Sequence, residues 1–60
     1  MNETTARTIA RTNSTGEMWV VWKDESDNQR IKASRYDDWL EIATAADEKI
    51  ALYEDGEPIA

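Results

Sequence analysis

Residues 17–24, EMWVVWKD, carry the strongest hydrophobic pattern of the chain. The side chains of a β-strand alternate between two faces, so this run would place apolar groups on both faces of a sheet. One face would hold Trp19 and Val21, and the other would hold Met18, Val20 and Trp22. A single helix covers only one face of a sheet, and the pattern therefore raises the question of what covers the other.

A second strand follows this run after a polar turn. The turn, ESDN over residues 25–28, consists of residue types that favour turns. Residues 29–34, QRIKAS, alternate Ile31 and Ala33 with polar side chains, which is the pattern of a half-buried strand. The two strands are predicted to form a hairpin.

An amphipathic helix is predicted over about residues 35–47. Ser34 stands three residues before Asp37, a variant of the capping box that starts many helices. The outward positions of the helix are acidic. Its apolar positions recur at spacings of three and four residues: Tyr36, Trp39, Leu40, Ala43 and Ala46. Ile42 widens the apolar face that these residues form.

A third strand is predicted over residues 49–53, KIALY, where apolar side chains alternate. The pair Asp55 and Gly56 predicts a tight turn after it. A short end with Pro58 and Ile59 follows, and it offers a further strand at the edge of the sheet.

Residues 1–16 combine threonines and small residues with the turn-like NSTG, and we interpret them as an N-terminal arm or a weak first strand. Residues 17–60 are then a single ββαβ domain. The sequence predicts an α+β fold, in which a small antiparallel sheet carries one amphipathic helix packed on one face.

The predicted helix would cover the sheet face that carries Ile31, Ala33, Ile50 and Leu52. One aromatic set of the central strand would then stay uncovered. Aromatic side chains beside arginine are typical of interface centres, and we expect a protein interface formed by Trp19, Val21, Trp22, Tyr53 and Arg30. Three occupants of this face stay open: the N-terminal segment with Ile9 filling the gap, a second copy in a homodimer, or a different protein. Of these we expect the homodimer.

The charge of the chain is uneven. Its net charge is −6, and residues 36–60 hold eight acidic residues and a single basic one, Lys49, whereas residues 1–35 are nearly balanced. Such asymmetry steers a basic partner toward the acidic half. We expect an acidic partner-facing surface formed by Asp37, Asp38, Glu41, Asp47 and Glu48. The alternative is a solvated helix face that keeps a small protein soluble.

Sixty residues form at most one domain with a small core. Domains of this size usually need a disulfide, a metal or a partner subunit, and the chain has no cysteine and no histidine. We therefore expect support from a second copy or another protein, and we expect no metal and no cofactor. We expect no catalysis either, because carboxylates, lysines and hydroxyls would have to act on a fold with little room for a pocket.

The chain has no apolar run near the roughly 20 residues that a membrane-spanning helix needs, and its N-terminus has no apolar signal segment. The absence of cysteine is typical of reducing compartments. We therefore expect a cytoplasmic protein whose partner is a protein or, less favourably, a nucleic acid, and not a membrane.

Residues 34–60, SRYDDWLEIATAADEKIALYEDGEPIA, resemble a segment of Phd/YefM-type antitoxins in which an arginine-led amphipathic helix meets a strand and a G-K-P-x-A hairpin. The helix pattern is carried by Arg35, Trp39, Leu40 and Ala43. The strand and hairpin pattern is carried by Ile50, Leu52, Gly56, Pro58 and Ala60, with Glu57 where the family usually has a basic residue. The resemblance implies a dimer that binds operator DNA through an N-terminal domain and neutralises a toxin with a C-terminal extension, which would start at Ala60.

Two functions are therefore open. The first is a small, non-enzymatic, acidic protein-binding module, an inhibitor or regulator encoded by a phage or mobile element, which occupies the surface of a nucleic-acid-processing or defence protein. The second is an antitoxin-like DNA-binding transcriptional regulator, in which basic side chains contact phosphates: Arg7, Arg11, Arg30, Lys32 and Arg35. The small size and the acidic half favour the first.

Overall fold

Two helices and a four-stranded antiparallel sheet make up the fold, which a computed structural model describes over residues 1–59. Ala60, the last residue of the antitoxin-like pattern, lies outside the described residues. The elements are α1 (Glu3–Asn13), β1 (Met18–Asp24), a 3₁₀ turn (Glu25–Asp27), β2 (Arg30–Arg35), α2 (Tyr36–Ile42), β3 (Glu48–Glu54) and β4 (Glu57–Ile59). The strands lie in the order β2-β1-β3-β4. The predicted α+β class is confirmed, and no helix within residues 1–59 has the length and apolar character to cross a membrane.

The N-terminal segment is a helix, rather than the arm or weak first strand that its sequence predicted. Asn2 caps this helix, because its Oδ1 accepts a hydrogen bond from the Thr5 backbone N–H at 2.8 Å. Glu3 and Arg7, one turn apart, form an ion pair at 2.9 Å. Threonine favours strands by propensity, but a capped first turn and the burial of one helix face outweigh that preference.

α1 lies on one face of the sheet through two alanines. Ala6 and Ala10 are fully buried against Val21 and Tyr53. Their small side chains let the helix backbone lie close to the sheet without leaving a void. Half-buried side chains surround this cluster: Trp19, Ile31, Ala33, Ile50 and Ala51. The N-terminal segment therefore covers one face of β1.

α2 lies on the opposite face of the sheet. Tyr36 and Trp39 stand three residues apart on one side of the helix and pack against a cluster of Val20, Trp22 and Leu52. The ring centroid of Trp39 lies 6.2 Å from that of Trp22 and 5.8 Å from that of Tyr36. Each face of β1 thus has its own helix.

The predicted single-helix arrangement placed Ile31 and Ala33 on the same face as Leu52, and the structure corrects this. Ala33 lies opposite Val21 in the register, whereas Leu52 lies opposite Val20. Consecutive residues of β1 point to opposite faces, so their partners do as well. Ile31 and Ala33 therefore pack toward α1, and Leu52 packs toward α2.

A β-bulge in β3 changes the predicted alternation of KIALY. The register pairs Val21 with Ala51 but Trp22 with Lys49, which leaves Ile50 without a partner on β1. An extra residue of this kind places two consecutive side chains on one side of the sheet. Ile50 therefore packs toward α1 together with Ala51, and not with Leu52 as predicted.

α2 is shorter than predicted and begins without a side-chain cap. It ends at Ile42, because Ala43 adopts an extended conformation with φ −65° and ψ 142°. Ser34 does not cap the helix, and its Oγ accepts a hydrogen bond from Nε1 of the buried Trp22 at 3.0 Å. Leaving a buried indole N–H without an acceptor costs more free energy than leaving a helix N-terminus to be solvated by water. The Ser34 hydroxyl therefore binds Trp22 and does not cap α2.

Ser14 joins α1 to the β3–β4 hairpin. It is fully buried, and its Oγ donates to the Arg11 carbonyl at 3.0 Å and accepts from the Gly56 N–H at 2.8 Å. The Ser14 carbonyl accepts from the Asp55 N–H at 2.8 Å. Asp55 and Gly56 have the positive φ values, 52° and 78°, of a two-residue hairpin turn, and the N–H groups of such turn residues are free for other partners. One serine thus fixes the end of α1 to the edge of the sheet.

We expect Ser14→Ala to lower the free energy of unfolding by about 1–3 kcal/mol, because the part-buried Gly56 N–H would lose its acceptor. Urea denaturation followed by tryptophan fluorescence measures this change. Thr15→Ala, at the exposed neighbouring position, is the control and is expected to change stability by less than about 0.5 kcal/mol. Equal stability of Ser14→Ala and the parent chain would show that Ser14 does not hold the hairpin.

Candidate functional site

Most of the predicted protein interface lies inside the fold. Val21 and Trp22 are buried beneath the two helices, and Tyr53 is only 5% exposed. Trp19 is half-buried beside α1, and Arg30 is the exposed member of the predicted set. Trp19, Val21 and Tyr53 lie on the sheet face that α1 covers, and Trp22 lies on the face that α2 covers. These aromatic side chains therefore serve the core of a single chain.

The outer side of α2 combines predicted acidic residues with two exposed apolar side chains that the sequence analysis placed in the core. We call it the α2 outer surface and define it as Asp37, Asp38, Leu40, Glu41 and Ile42. Leu40 is 55% exposed and Ile42 is 60% exposed, although the helical pattern predicted that both would be buried. The three acidic side chains between them are exposed as well. The surface therefore combines large aliphatic groups with carboxylates.

The geometry of a short helix explains this exposure. At about 100° per residue, Leu40 and Ile42 fall on opposite shoulders of α2 when Tyr36 and Trp39 point to the sheet. The sheet-facing arc between the two shoulders spans about 160°, and the solvent-facing arc of about 200° carries the carboxylates. The sequence contains these shoulders, but the end of the helix at Ile42 was not predictable from it.

Trp39, which packs α2 against the sheet, has an indole N–H without a hydrogen bond to residues 1–59. Nε1 of Trp39 is buried and has no hydrogen-bond partner within residues 1–59, and the same is true of Trp19 on the other face. A buried N–H without a partner costs about 1–3 kcal/mol. Trp22 differs, since its Nε1 donates to Ser34. The contact of α2 with the sheet is therefore weaker than its aromatic area suggests.

Two residues of the predicted acidic surface lie outside α2. Asp47 fixes the loop that follows the helix, because its two carboxylate oxygens accept the backbone N–H groups of Glu25 and Thr44, each at 2.9 Å. Glu48 is exposed at the start of β3. The predicted acidic surface therefore contains free carboxylates at α2 and Glu48, but a structural one at Asp47.

The basic side chains predicted to contact phosphates are mostly paired with carboxylates. N–O distances of 2.8–2.9 Å join Arg7 to Glu3, Arg35 to Glu17, and Lys32 to Asp24 and Asp27, and Arg30 lies 4.0 Å from Asp27. Arg11 has no such pair in the part of the chain that the structure describes. Paired cations present little net positive charge, whereas binding of a nucleic-acid backbone needs unpaired ones.

A charged cluster closes the β1–β2 hairpin. Asp24 is 8% exposed, and its Oδ2 accepts a hydrogen bond from Lys32 Nζ at 2.8 Å, while its Oδ1 accepts from the N–H and the hydroxyl of Ser26. The Lys32 hydrogen bond, followed by that of Ser26, lowers the pKa of Asp24 below its ordinary value. Hydrogen bonds to Asp24 and Asp27 raise the pKa of Lys32. Lys32 Nζ also lies 5.7 Å from the Trp22 ring centroid, which joins the cluster to the core.

Two shallow grooves mark the surface. One of about 320 Å³ is lined by Gly16, Glu17, Met18, Arg35 and Asp37, and the other, of about 290 Å³, lies at the β3–β4 edge. Neither lining therefore places a hydroxyl or thiol nucleophile beside a general base. Within residues 1–59, no three His, Cys, Asp or Glu side chains lie close enough together to hold a metal ion.

Comparison with protein-family models, with curated proteins and with solved structures finds no significant match to this chain. The resemblance of residues 34–60 to Phd/YefM-type antitoxins therefore stays a prediction. The observations that bear on function are those of the chain's own surface.

The lowered pKa of Asp24 makes stability depend on pH. In the unfolded chain this carboxyl group has a pKa of about 3.9, and in the folded chain it stays ionised to a lower pH. Its contribution to the free energy of unfolding is therefore fully present above about pH 3.9 and is lost as the pH falls through the folded-state pKa. We expect Asp24→Asn to be less stable than the parent chain at about pH 6, and the difference to shrink toward about pH 2. Thermal unfolding followed by circular dichroism measures both chains.

Asp38→Asn is the control for the loss of one carboxylate. Asp38 is exposed and belongs to no ion pair within residues 1–59, so its substitution is expected to change the free energy of unfolding at about pH 6 by less than about 0.5 kcal/mol. A difference between Asp24→Asn and the parent that stays constant over the whole pH range would contradict the role of this carboxylate.

Proposed function

We propose that the chain is a small, non-enzymatic protein-binding module that acts by occupying a partner's surface through the α2 outer surface. The exposure of Leu40 and Ile42 carries this proposal. A fold of this size has few large aliphatic side chains, and burying them is its main source of stability. Exposed apolar groups framed by charged ones are typical of protein-contact sites.

The chemistry of the α2 outer surface specifies the partner. Leu40 and Ile42 fit apolar pockets, and the carboxylates between them fit lysine or arginine side chains. A protein that binds nucleic acid carries basic groups beside apolar ones for its own ligand. We therefore propose an inhibitor or regulator, of the kind that phages and mobile elements encode, whose partner is a nucleic-acid-processing or defence protein.

A second copy of the chain fits this surface less well. Two-fold pairing through α2 would place Asp37, Asp38 and Glu41 against the same residues of the other copy, and the net charge of −6 adds to the repulsion. Pairing through the central sheet face would require α1 to leave Val21 and Tyr53. Both arguments favour a different protein over a homodimer.

The antitoxin-like alternative gains no support from the arrangement of charge. Of the five basic residues assigned to phosphate contact, four are paired with carboxylates of the same chain. Contact with DNA would have to break these pairs or leave negative charge beside the phosphates. Protein binding through α2 requires neither.

We expect Leu40→Ser and Ile42→Ser each to weaken partner binding by about tenfold, because truncation of an apolar interface anchor commonly costs more than about 1 kcal/mol. Their thermal stability is expected to change little, since both side chains are exposed. The immobilised parent chain first captures the partner from a nuclease-treated bacterial lysate. Isothermal titration calorimetry with the purified partner then gives the affinity of each variant.

Ile59→Ser is the matched control, because Ile59 is a large aliphatic residue that is 36% exposed but lies on β4. It is expected to bind the partner as the parent chain does. Asp38→Lys is expected to weaken binding, with the loss greatest at low salt. A captured protein that binds Leu40→Ser and Ile42→Ser as tightly as the parent would overturn the proposal.

A further inference from the structure

The turn between β3 and β4 contains a chemically labile pair of residues. Asp55 is followed by Gly56, and no other aspartate or asparagine of the sequence precedes a glycine. The main-chain nitrogen of the residue after an aspartate can attack the aspartate side chain and close a five-membered succinimide ring. Glycine hinders this attack least, because it has no side chain and its backbone is the most flexible. Without structure, the reaction would therefore be fastest at Asp55.

The folded turn keeps the two reacting groups apart. Asp55 and Gly56 have φ values of 52° and 78°, which are those of a type I′ turn. At the first central position of such a turn ψ is about +30°, so the Asp55 Cβ and the Gly56 nitrogen lie nearly opposite each other about the Cα–C bond. Closure of the ring requires these two atoms to be nearly eclipsed. The turn therefore has to rotate about this bond before the reaction occurs.

Three hydrogen bonds to the segment after α1 hold the turn in this conformation. The Gly56 N–H donates to the Ser14 Oγ at 2.8 Å, and the Asp55 N–H donates to the Ser14 carbonyl at 2.8 Å. The carboxylate is held as well, because its Oδ1 accepts the Gly16 N–H at 2.9 Å. The nitrogen that attacks and the side chain that is attacked are thus both bound to residues 14–16.

The rotation that closes the ring would carry the Gly56 N–H away from Ser14. Ser14 is fully buried, and its hydroxyl also donates to the Arg11 carbonyl at the end of α1, so its side chain is fixed in place. A conformation that reacts must therefore first lose the hydrogen bond between Ser14 and Gly56. The observed rate is then the rate in the open turn multiplied by the fraction of chains in which the turn is open.

We propose that Asp55 is a site of spontaneous covalent modification, and that release of the Gly56 amide from Ser14 sets its rate. A bond forms between the Gly56 nitrogen and the Asp55 Cγ, the nitrogen loses its proton, and one carboxyl oxygen leaves as water. Addition of water to the ring then breaks one of the two bonds from the nitrogen to a carbonyl carbon. Cleavage at Cγ restores aspartate, and cleavage at the main-chain carbonyl leaves isoaspartate, whose main chain runs through Cβ and Cγ.

The reaction releases and then consumes one water, and it needs no other reagent. Isoaspartate adds a main-chain atom to a two-residue turn, so the N–H groups of the turn no longer reach Ser14. β4 consists of three residues that this turn places beside β3. The modified chain is therefore expected to lose both the pairing of β4 and the contact that fixes the end of α1. This site is separate from the α2 outer surface and does not depend on the function proposed for it.

Incubation of the full chain at neutral pH and body temperature, folded or unfolded in guanidinium chloride, tests the proposal. Trypsin cleavage after Lys49 releases residues 50–60, in which Asp55 is the only aspartate. Electron-transfer fragmentation of this peptide distinguishes isoaspartate from aspartate. We expect isoaspartate to form at least about tenfold faster in the unfolded chain than in the folded one, because folding closes the turn with three hydrogen bonds.

Ser14→Ala separates the effect of this hydrogen bond from that of the local sequence. The folded variant is expected to form isoaspartate about tenfold faster than the folded parent, because the closed turn loses its buried acceptor. In guanidinium chloride the two chains are expected to react at the same rate, since the residues around Asp55 are identical. Thr15→Ala, at the exposed neighbouring position, is the matched control and is expected to react as the parent does.

Asp24→Asn separates local opening of the turn from unfolding of the whole chain. Asp24 lies at the opposite end of β1, and its substitution leaves every contact of Ser14 in place. Where most of this variant is folded, it is expected to form isoaspartate within about twofold of the parent rate, because local opening does not depend on the distant hairpin.

Hydrogen exchange of the Gly56 amide follows the same opening without any substitution. Its protection factor in the parent chain, measured by NMR, is expected to match the ratio of the unfolded to the folded isomerisation rate within about fivefold. A larger disagreement would show that another event limits the modification, even if Ser14→Ala fails to fold.

Four further results would overturn the proposal. The first is the absence of isoaspartate at position 55 in the unfolded chain, and the second is equal rates in the folded and the unfolded parent. The third is a folded Ser14→Ala that reacts as slowly as the parent. The fourth is an equal acceleration in Ser14→Ala and Asp24→Asn, which would assign the rate to unfolding of the whole chain.

Discussion

The fold depends on one constraint, the burial of β1 on both faces. Its apolar side chains alternate without a polar face, so a stable chain of 60 residues has to place cover on each side of the sheet. Each cover is a short helix held by two small contacts, alanines on one side and aromatic rings on the other. The core is consequently divided into two thin clusters that share the central strand.

Long-range polar contacts hold these thin layers in place. Ser14 fixes the end of α1 to the β3–β4 turn, and Asp47 fixes the loop after α2 to the residue that follows β1. Asp24 and Lys32 close the β1–β2 hairpin on the side of Trp22. Most charged residues of the first half thus form ion pairs or hydrogen bonds within the chain, whereas those of α2 face solvent. The solvent-facing charges of α2 are thus separate from the structural network of the first half.

The strands were predictable from the sequence because each is a short apolar or alternating run that ends in turn residues. α1 was not, because its threonines suggest a strand, while the signals for a helix are weak: the Asn2 cap, the pair Glu3 and Arg7, and two alanines four residues apart. Burial of an alanine depends on the sheet beneath it, which no local pattern reveals. The end of α2 at Ile42 was not predictable either, and the loop after it makes a contact distant in sequence, because Asp47 accepts the N–H of Glu25, 22 positions away. The acidic residues of the α2 outer surface were predicted from the sequence, whereas the exposure of Leu40 and Ile42 was not.

The small size of α2 has a consequence for the dynamics of the chain. A helix of seven residues has little stability of its own, and this one has no side-chain cap and rests on Trp39, whose N–H has no hydrogen-bond partner within residues 1–59. Local opening of α2 therefore costs less free energy than opening of β1 or α1, and its amides are the first to exchange with solvent. A partner that bound α2 as proposed would have to order it, so part of the contact energy would be spent on holding the helix closed. Such a complex would be more rigid than the free chain, with the gain concentrated in α2 and the side chains beneath it.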